Sequence, residues 1–471
     1  MESAAVGQSN ERKAAFGQNL LTSGAMCFIL LVHGWLSLNG FHAFDVRDYS
    51  QIVQNQFPKG TPFWEMLLNF HGNPPLLSVF HHWAMEIFPS RPALFFEILL
   101  PVFHATSFLS FEKALKGFSL KINPLWPIIL FINPLIFIYF RYPFYTSFLF
   151  FLSSVLLFLI SQLKKKPESI IGIALLLSTG ALLRSSWVPL LLFPFVVWLS
   201  PSKSWKTRIL ILICFLPPLV WQIKNYRLIN QFTSSSWLGI NLARGHLPWK
   251  VHSHPVDFIQ PFSLPNDYLE IVKAEPGIKE TEANQNFYLS QNNLNHKSIP
   301  VISSLYLESI FDQFSLTWSL NTFMNGFLIY FQSPANEEHI LDHLKDAGYE
   351  SIPYFHSDWL DPRLFKDPNL WYLFLVSDRW DPDSTWIQAF RRITVYTLIY
   401  PILLGIFLIR FHILTREIKA IFILTLFFTG IYTTLDVSEC NRMRMEIECL
   451  FYFLIIWATA NWKILFGTNQ K

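Results

Sequence analysis

Ten runs of apolar residues, divided by polar or charged connections, constrain this chain more than any other feature. They fall at about 20–39, 93–111, 122–140, 144–162, 168–183, 187–200, 208–223, 395–413, 419–435 and 445–464. About 20 apolar residues cross the hydrocarbon core as a helix, and a helix satisfies its own backbone hydrogen bonds in lipid. Charged residues make up 15% of the chain, well below the roughly one quarter usual in soluble domains. The expected fold is all-α and polytopic, a bundle of about 10 (10–12) transmembrane helices with a large outer loop region of mixed, mainly helical structure. The runs at 168–183 and 187–200 are short, as tilted, bent or broken helices are.

Lys and Arg orient the bundle. With the N-terminus inside, every second connection should be basic. Those connections hold Lys113, Lys116 and Lys121; Lys164, Lys165 and Lys166; Lys203, Lys206 and Arg208; Arg410, Arg416 and Lys419; and Lys463 and Lys471. The alternate short connections hold little beyond Arg141 and Arg184. Arg391, Arg392, Arg442 and Arg444 are exceptions. Residues 1–223 form an N-terminal transmembrane module whose outer loop is 40–92; 224–394 form an extracytoplasmic region; 395–471 return to the membrane. The stretch Ser315 to Phe331 is apolar, but one extra span there would invert every later loop, so it reads as an interfacial or buried helix. The first run shows no small-residue cleavage site and reads as a retained helix. Basic residues at membrane edges give no reason to expect nucleic acid; membrane lipids are the expected surroundings. Cys27, Cys214, Cys440 and Cys449 are scattered, forming neither a disulfide framework nor a metal site.

The opening outer loop carries the densest candidate chemistry. Phe44 to Leu77 reads FDVRDYSQIVQNQFPKGTPFWEMLLNFHGNPPLL. It sets Asp45, Arg47 and Asp48 within a few residues of the membrane edge and closes on Asn73-Pro74-Pro75-Leu76. Asp45, Asp48 and Tyr49 share one face of a helix by spacing. Carboxylates at a bilayer surface are costly unless solvated, paired or used. A base there has its pKa moved by burial and by a cation such as Arg47. A solvated turn with an internal salt bridge gives the same pattern.

Two further places hold charge at the same outer side. Arg141 in FRYPFYTSF and Arg184 in LLRSSWVP end apolar runs. They read either as snorkelling residues or as phosphate clamps, since guanidinium meets phosphate oxygens in a bidentate way. The connection DVSECNRMRMEIECL gathers Glu439, Arg442, Arg444, Glu446 and Glu448, either a self-neutralising cluster or part of a site. His252 and His254, with Asp257 near, lack a specific ligand spacing, so no metal and no cofactor is expected. No glycine-rich phosphate loop, nucleophile elbow or zinc-helix motif is present.

Four of these places resemble the GT-C superfamily of membrane glycosyltransferases, and most closely its bacterial branch related to protein O-mannosyltransferases and lipid A aminoarabinose transferases. Asp45 and Tyr49 fill the positions of that family's loop-opening Asp and its Tyr four residues on. Asn73-Pro74-Pro75-Leu76 matches its closing Pro-Pro-Leu element. WQIKNYRLINQFTSSSWLGINLARG, Trp221 to Gly245, is similar to the start of its long outer region. Glu439, Asn441, Arg442 and Glu448 resemble its acidic and Arg-rich entry to the last helix. Two positions depart from the pattern. Val46 stands where the second acidic residue is usual, and Asn73 where His or Lys is usual.

The resemblance implies an inverting transfer of a sugar from a polyprenyl-phosphate donor to a glycan, lipid or protein acceptor on the outer side. Asp45 would be the general base, with Asp48 beside it. Arg47, Arg184 and Arg442 would hold the leaving phosphate, and Tyr49, Asn73 and Glu439 would line the donor and acceptor cleft. A lipid-linked glycan polymerase or ligase and a membrane transporter are the alternatives. A transporter more often shows two similar halves, and none is visible here.

Overall fold

A computed structural model describes residues 2–38, 62–239 except 121 and 203, 395–435 and 440–467, with isolated positions between 242 and 330. Every regular element among them is helical. They are α1 (Glu2–Leu38), α2 (Phe63–Asn69), α3 (Leu76–Ile87), α4 (Ala93–Gly117), α5 (Leu125–Phe131), α6 (Pro134–Tyr139), α7 (Tyr145–Gln162), α8 (Ser169–Leu183), α9 (Pro189–Leu199) and α10 (Trp205–Ile229). From residue 395 onward come α11 (Val395–Ile409), a 3₁₀ turn (Phe411–Ile413), α12 (Arg416–Leu435), α13 (Cys440–Met445), α14 (Glu448–Ala460) and α15 (Trp462–Phe466).

Five helical segments are long and apolar enough to cross a membrane: Asn19–Leu38 in α1, Ala93–Gly117, Tyr145–Gln162, Trp205–Ile229 and Arg416–Thr434. The chain is thus a helical membrane protein, and the count of about ten full spans is not reached among the described residues. The other five apolar runs make shorter helices. The run 122–140 splits into α5 and α6 at Asn133-Pro134, where proline has no N–H to donate and biases the preceding residue out of the helix. Helices α8 and α9 have 15 and 11 residues, and α11 and α14 have 15 and 13. At 1.5 Å per residue each falls short of the roughly 30 Å core. The short runs at 168–183 and 187–200 form two separate helices, α8 and α9, with Arg184–Val188 between them.

Lipid-facing and core-facing stripes follow helical spacing. On α1, Ala25, Ile29 and Leu36 are buried, and this helix packs on α4. Its Leu30, Leu31 and Leu38 face outward. On α10, Ile211, Phe215, Pro218, Gln222 and Asn225 are buried while Leu210, Ile213, Leu216 and Val220 are exposed. Leucine exposed in this way is at no disadvantage against lipid tails, so packing and polar contacts decide how the helices associate. The most extensive interface joins α4 to α7; Phe103 stacks on Phe151 with ring centroids 4.3 Å apart. Ser154 on α7, buried, donates within its own helix, to the Phe150 carbonyl at 3.0 Å.

Direct contacts sort the connections between two ends of the bundle. At one end Lys164 pairs with Glu417 at 3.5 Å, and Arg416 donates to the carbonyls of Trp198 and Ser200 at 2.5 and 2.7 Å. The connections after α7, after α9 and before α12 therefore meet there. At the other end lie the start of α7, the end of α8, the end of α12 and the entry to α14, joined by the contacts described next. Arg141 is fully buried at this end. It donates to the His33 carbonyl and, at 2.8 Å, to Ser37 Oγ, holding the last turns of α1. It is a cation at a helix C-terminus, where the dipole favours it, and it does not snorkel.

Candidate functional site

Arg184 caps α8 in extended conformation (φ −142°, ψ 136°), its amide bonded to the Gly180 carbonyl at 2.8 Å. That turn aims its guanidinium toward the entry of α14. Nη1 meets Glu446 Oε1 at 2.5 Å, and the Glu446 side chain is fully buried. Tyr432 on α12 donates to Glu446 Oε2 at 2.6 Å and accepts from Trp187 Nε1 at 3.2 Å. The guanidinium carbon lies 5.4 Å from the Tyr145 ring centroid and 5.8 Å from that of Tyr432. Ser153 on α7 donates to the Glu446 backbone carbonyl at 2.9 Å. Glu446 thus ties the end of α8 and α12 to the entry of α14 through its carboxylate, and α7 through its backbone carbonyl. Gly180 makes room for this: a Cβ there would come within 2.0 Å of Trp187 Cε3.

A second buried pair stands one turn on. Arg444 Nε bonds Glu448 Oε2 at 3.1 Å across an (i, i+4) step. Tyr400 donates to the other Glu448 oxygen, and Arg444 Nη1 donates to the Tyr330 carbonyl at 3.0 Å. Buried charged groups are costly unless paired in this way. Within this connection, then, Arg444 and Glu448 neutralise each other, whereas Glu446 takes its partner, Arg184, from 262 residues away. The Arg184 charge is shared with that carboxylate.

A third group knits the end of the opening loop to the end of α10. The Ser236 amide donates to the His71 carbonyl at 3.0 Å, and His71 Nδ1 bonds Ser236 Oγ at 2.9 Å. Ser235 Oγ donates to the Gly72 carbonyl at 2.5 Å. From α10, Trp221 Nε1 donates to the Ser234 carbonyl at 3.1 Å, and Asn225 Nδ2 to the Thr233 carbonyl at 2.8 Å. Lys224 donates to the Phe70 carbonyl, with its ammonium 3.4 Å from the Trp221 ring centroid. The Thr233–Ser236 turn thus acts as a clasp between two stretches that the sequence keeps far apart. Nearby, His81 on α3 donates from Nε2 to the Pro143 carbonyl at 3.0 Å, and burial pushes its pKa down to about 4.

Deeper in the bundle, His104 Nε2 donates to the Phe131 carbonyl at 3.0 Å. Its Nδ1 therefore accepts from His33 Nε2, 3.0 Å away, when both rings are neutral. His33 Nδ1 is then a buried acceptor with no partner among the described residues.

Of the residues singled out by sequence, Asp45, Arg47, Asp48, Tyr49 and Glu439 lie outside the described residues, as do His252 and His254. Arg442 lies on α13, with its side chain outside them. Asn73 is half-buried in the turn before α3. The structure unites Asn73's turn with the Thr233–Ser236 stretch and Arg184 with Glu446. Lys224 and Tyr432 escaped the sequence reading. The signal for Lys224 was there: it is the first charge after Arg208 and sits at the end where basic residues are scarce. No protein-family model matches the chain, and no curated protein matches it in sequence.

Proposed function

We propose that the protein is an integral-membrane glycosyltransferase, of the GT-C kind, taking a sugar from a polyprenyl-phosphate donor with inversion on the outer side of a bacterial plasma membrane. What supports the reading is one observation. The described parts of the stretches that carry the resemblance gather at one end of the bundle, Asn73's turn clasped to Thr233–Ser236 and the α14 entry tied to Arg184. Buried ionisable groups concentrated at one mouth of a membrane bundle belong more often to a site than to scaffolding.

Asp45 takes the proton of the acceptor hydroxyl as that oxygen attacks the anomeric carbon. The carbon–oxygen bond to the phosphate breaks, and the lipid phosphate leaves as an anion, stabilised by cations rather than by protonation. Arg47 and Arg442 are the cations for this step, with Arg184 contributing through its shared pair with Glu446. Asp48 orients the acceptor or pairs with Arg47. Tyr49, Asn73 and Glu439 line the cleft. The polymerase or ligase alternative leans on His252 and His254. A transporter reading draws on the buried His33–His104 pair, the kind of contact proton relays use.

The test is incubation of the purified protein with labelled polyprenyl-phosphate sugars, scoring released polyprenyl phosphate. Asp45→Asn should cut turnover by about 10²–10⁴ with donor binding intact, and Asp48→Asn should cost less. A dead Asp48→Asn beside a working Asp45→Asn would reverse the assignment. Two active variants would remove the carboxylate mechanism.

A further inference from the structure

Charge matching at this end of the bundle is uneven. Arg184 and Arg444 each hold a buried carboxylate. Lys224 does not: among the described residues no carboxylate pairs with it. Its half-buried ammonium is nonetheless fixed. The Phe70 carbonyl takes one of its three N–H donors, and the Trp221 face carries the cation from below. Trp221 is itself anchored through Nε1 to the Ser234 carbonyl.

A cation at the end of a helix offsets the dipole there, but α10 runs on for five residues, to Ile229, beyond Lys224. Snorkelling would extend the side chain away from the bundle, whereas this one folds back over Trp221 toward the opening loop. A partly desolvated charge with donors to spare, held against the turn that leads to Asn73, is preorganised for an anion, because little side-chain freedom is left to lose on binding.

We propose that Lys224 anchors the phosphate of a polyprenyl-phosphate-type lipid. The inference rests on the reading that the donor is lipid-linked phosphate and names a further cation for it. The chemistry recognised is a phosphate anion, whether lipid-borne or free, and the test separates the sources.

Two measurements decide it. In the first, the wild-type protein in phosphatidylcholine nanodiscs is treated with an amine-acetylating reagent, and modification of Lys224 is read by peptide mass spectrometry. Polyprenyl phosphate should protect Lys224, and the neutral polyprenol should not. Equal acetylation with and without polyprenyl phosphate overturns the proposal. So does equal protection by phosphatidylglycerol, which marks a residue that meets any headgroup, or by inorganic phosphate at the same concentration, which marks a free-anion site. In the second, polyprenyl phosphate binding is titrated against Lys224→Gln and Lys224→Arg. Lys224→Gln should bind about tenfold or more weakly, the usual worth of a charge-assisted bond, and Lys224→Arg should keep most of the affinity. Unchanged affinity in a folded Lys224→Gln refutes the anchor; if that variant does not fold, the acetylation result stands alone. Because neither measurement needs transfer of a sugar, loss of binding in a protein without transferase activity would sink the glycosyltransferase reading and keep the anchor. Normal binding by Lys224→Gln in an active enzyme would do the reverse.

Discussion

Glu446→Gln gives the sharpest view of what holds this end of the bundle together. The substitution keeps the size and removes the charge opposite Arg184, whose side chain is only 11% exposed. Removing one partner of a buried pair costs about 3–5 kcal/mol, mostly from the charge left behind. The residual exposure of Arg184 and its contacts with Tyr145 and Tyr432 place the cost near the lower limit, at about 3 kcal/mol. The amide can still accept from Tyr432, and the Ser153 bond goes to backbone, so those contacts persist. In a chain of this length, about 3 kcal/mol corresponds to a fall in Tm of roughly 3 °C. The reporter is Cys449, which is fully buried on α14 and reacts with a thiol dye only once that helix opens. Cys27, Cys214 and Cys440 are replaced by serine in the background, and scans are compared at one rate because unfolding of such proteins is irreversible. The double variant Arg184→Met, Glu446→Leu removes both charges and should melt closer to the parent than either single change. Glu446→Gln melting within a degree of the parent, or strict additivity in the cycle, would refute a coupled buried pair.

Gly180→Ala should destabilise the protein by about 1–3 kcal/mol, because the new methyl collides with Trp187 and displaces its bond to Tyr432; the same change on an open helix surface would stabilise by about 1 kcal/mol, so the sign of the Tm shift decides. His81 should make stability fall with acid. The unfolded chain binds a proton there below about pH 6.5, while the folded one resists until about pH 4. Stability is therefore unaffected above that window, falls as pH drops through it by up to about 3 kcal/mol, and the fall shrinks in His81→Gln; an unchanged slope in that variant would refute the assignment. Cysteines placed at 165 and 267 should be labelled from opposite sides of the membrane, and labelling from one side alone would overturn the topology.

Much of the architecture is legible in the sequence because hydropathy and charge bias are local quantities. Apolar stretches must become helices in lipid whatever else they touch, so the helical character, the short helices between 168 and 200 and the sorting of Lys164 and Arg416 to one end follow from composition along the chain. Span length was less legible. Asn133-Pro134 breaks an apolar run that hydropathy reads as continuous, because hydropathy does not see the missing proline N–H. Partners were not legible at all. Arg184 stands in the sequence as a lone charge at the end of an apolar run, and only packing shows that Glu446 pairs with it, since a buried charge takes whichever opposite charge the helices bring within reach. Lys224 shows the converse. Its apolar run ends at about 223, which would leave it just past a span, but α10 continues to Ile229 and folds the side chain over Trp221. Residue type and position along the chain determine which charges exist and at which end they lie. Which are neutralised and which are left to meet a ligand is a property of three-dimensional distance, because desolvation and pairing act only between groups that the fold has already placed together.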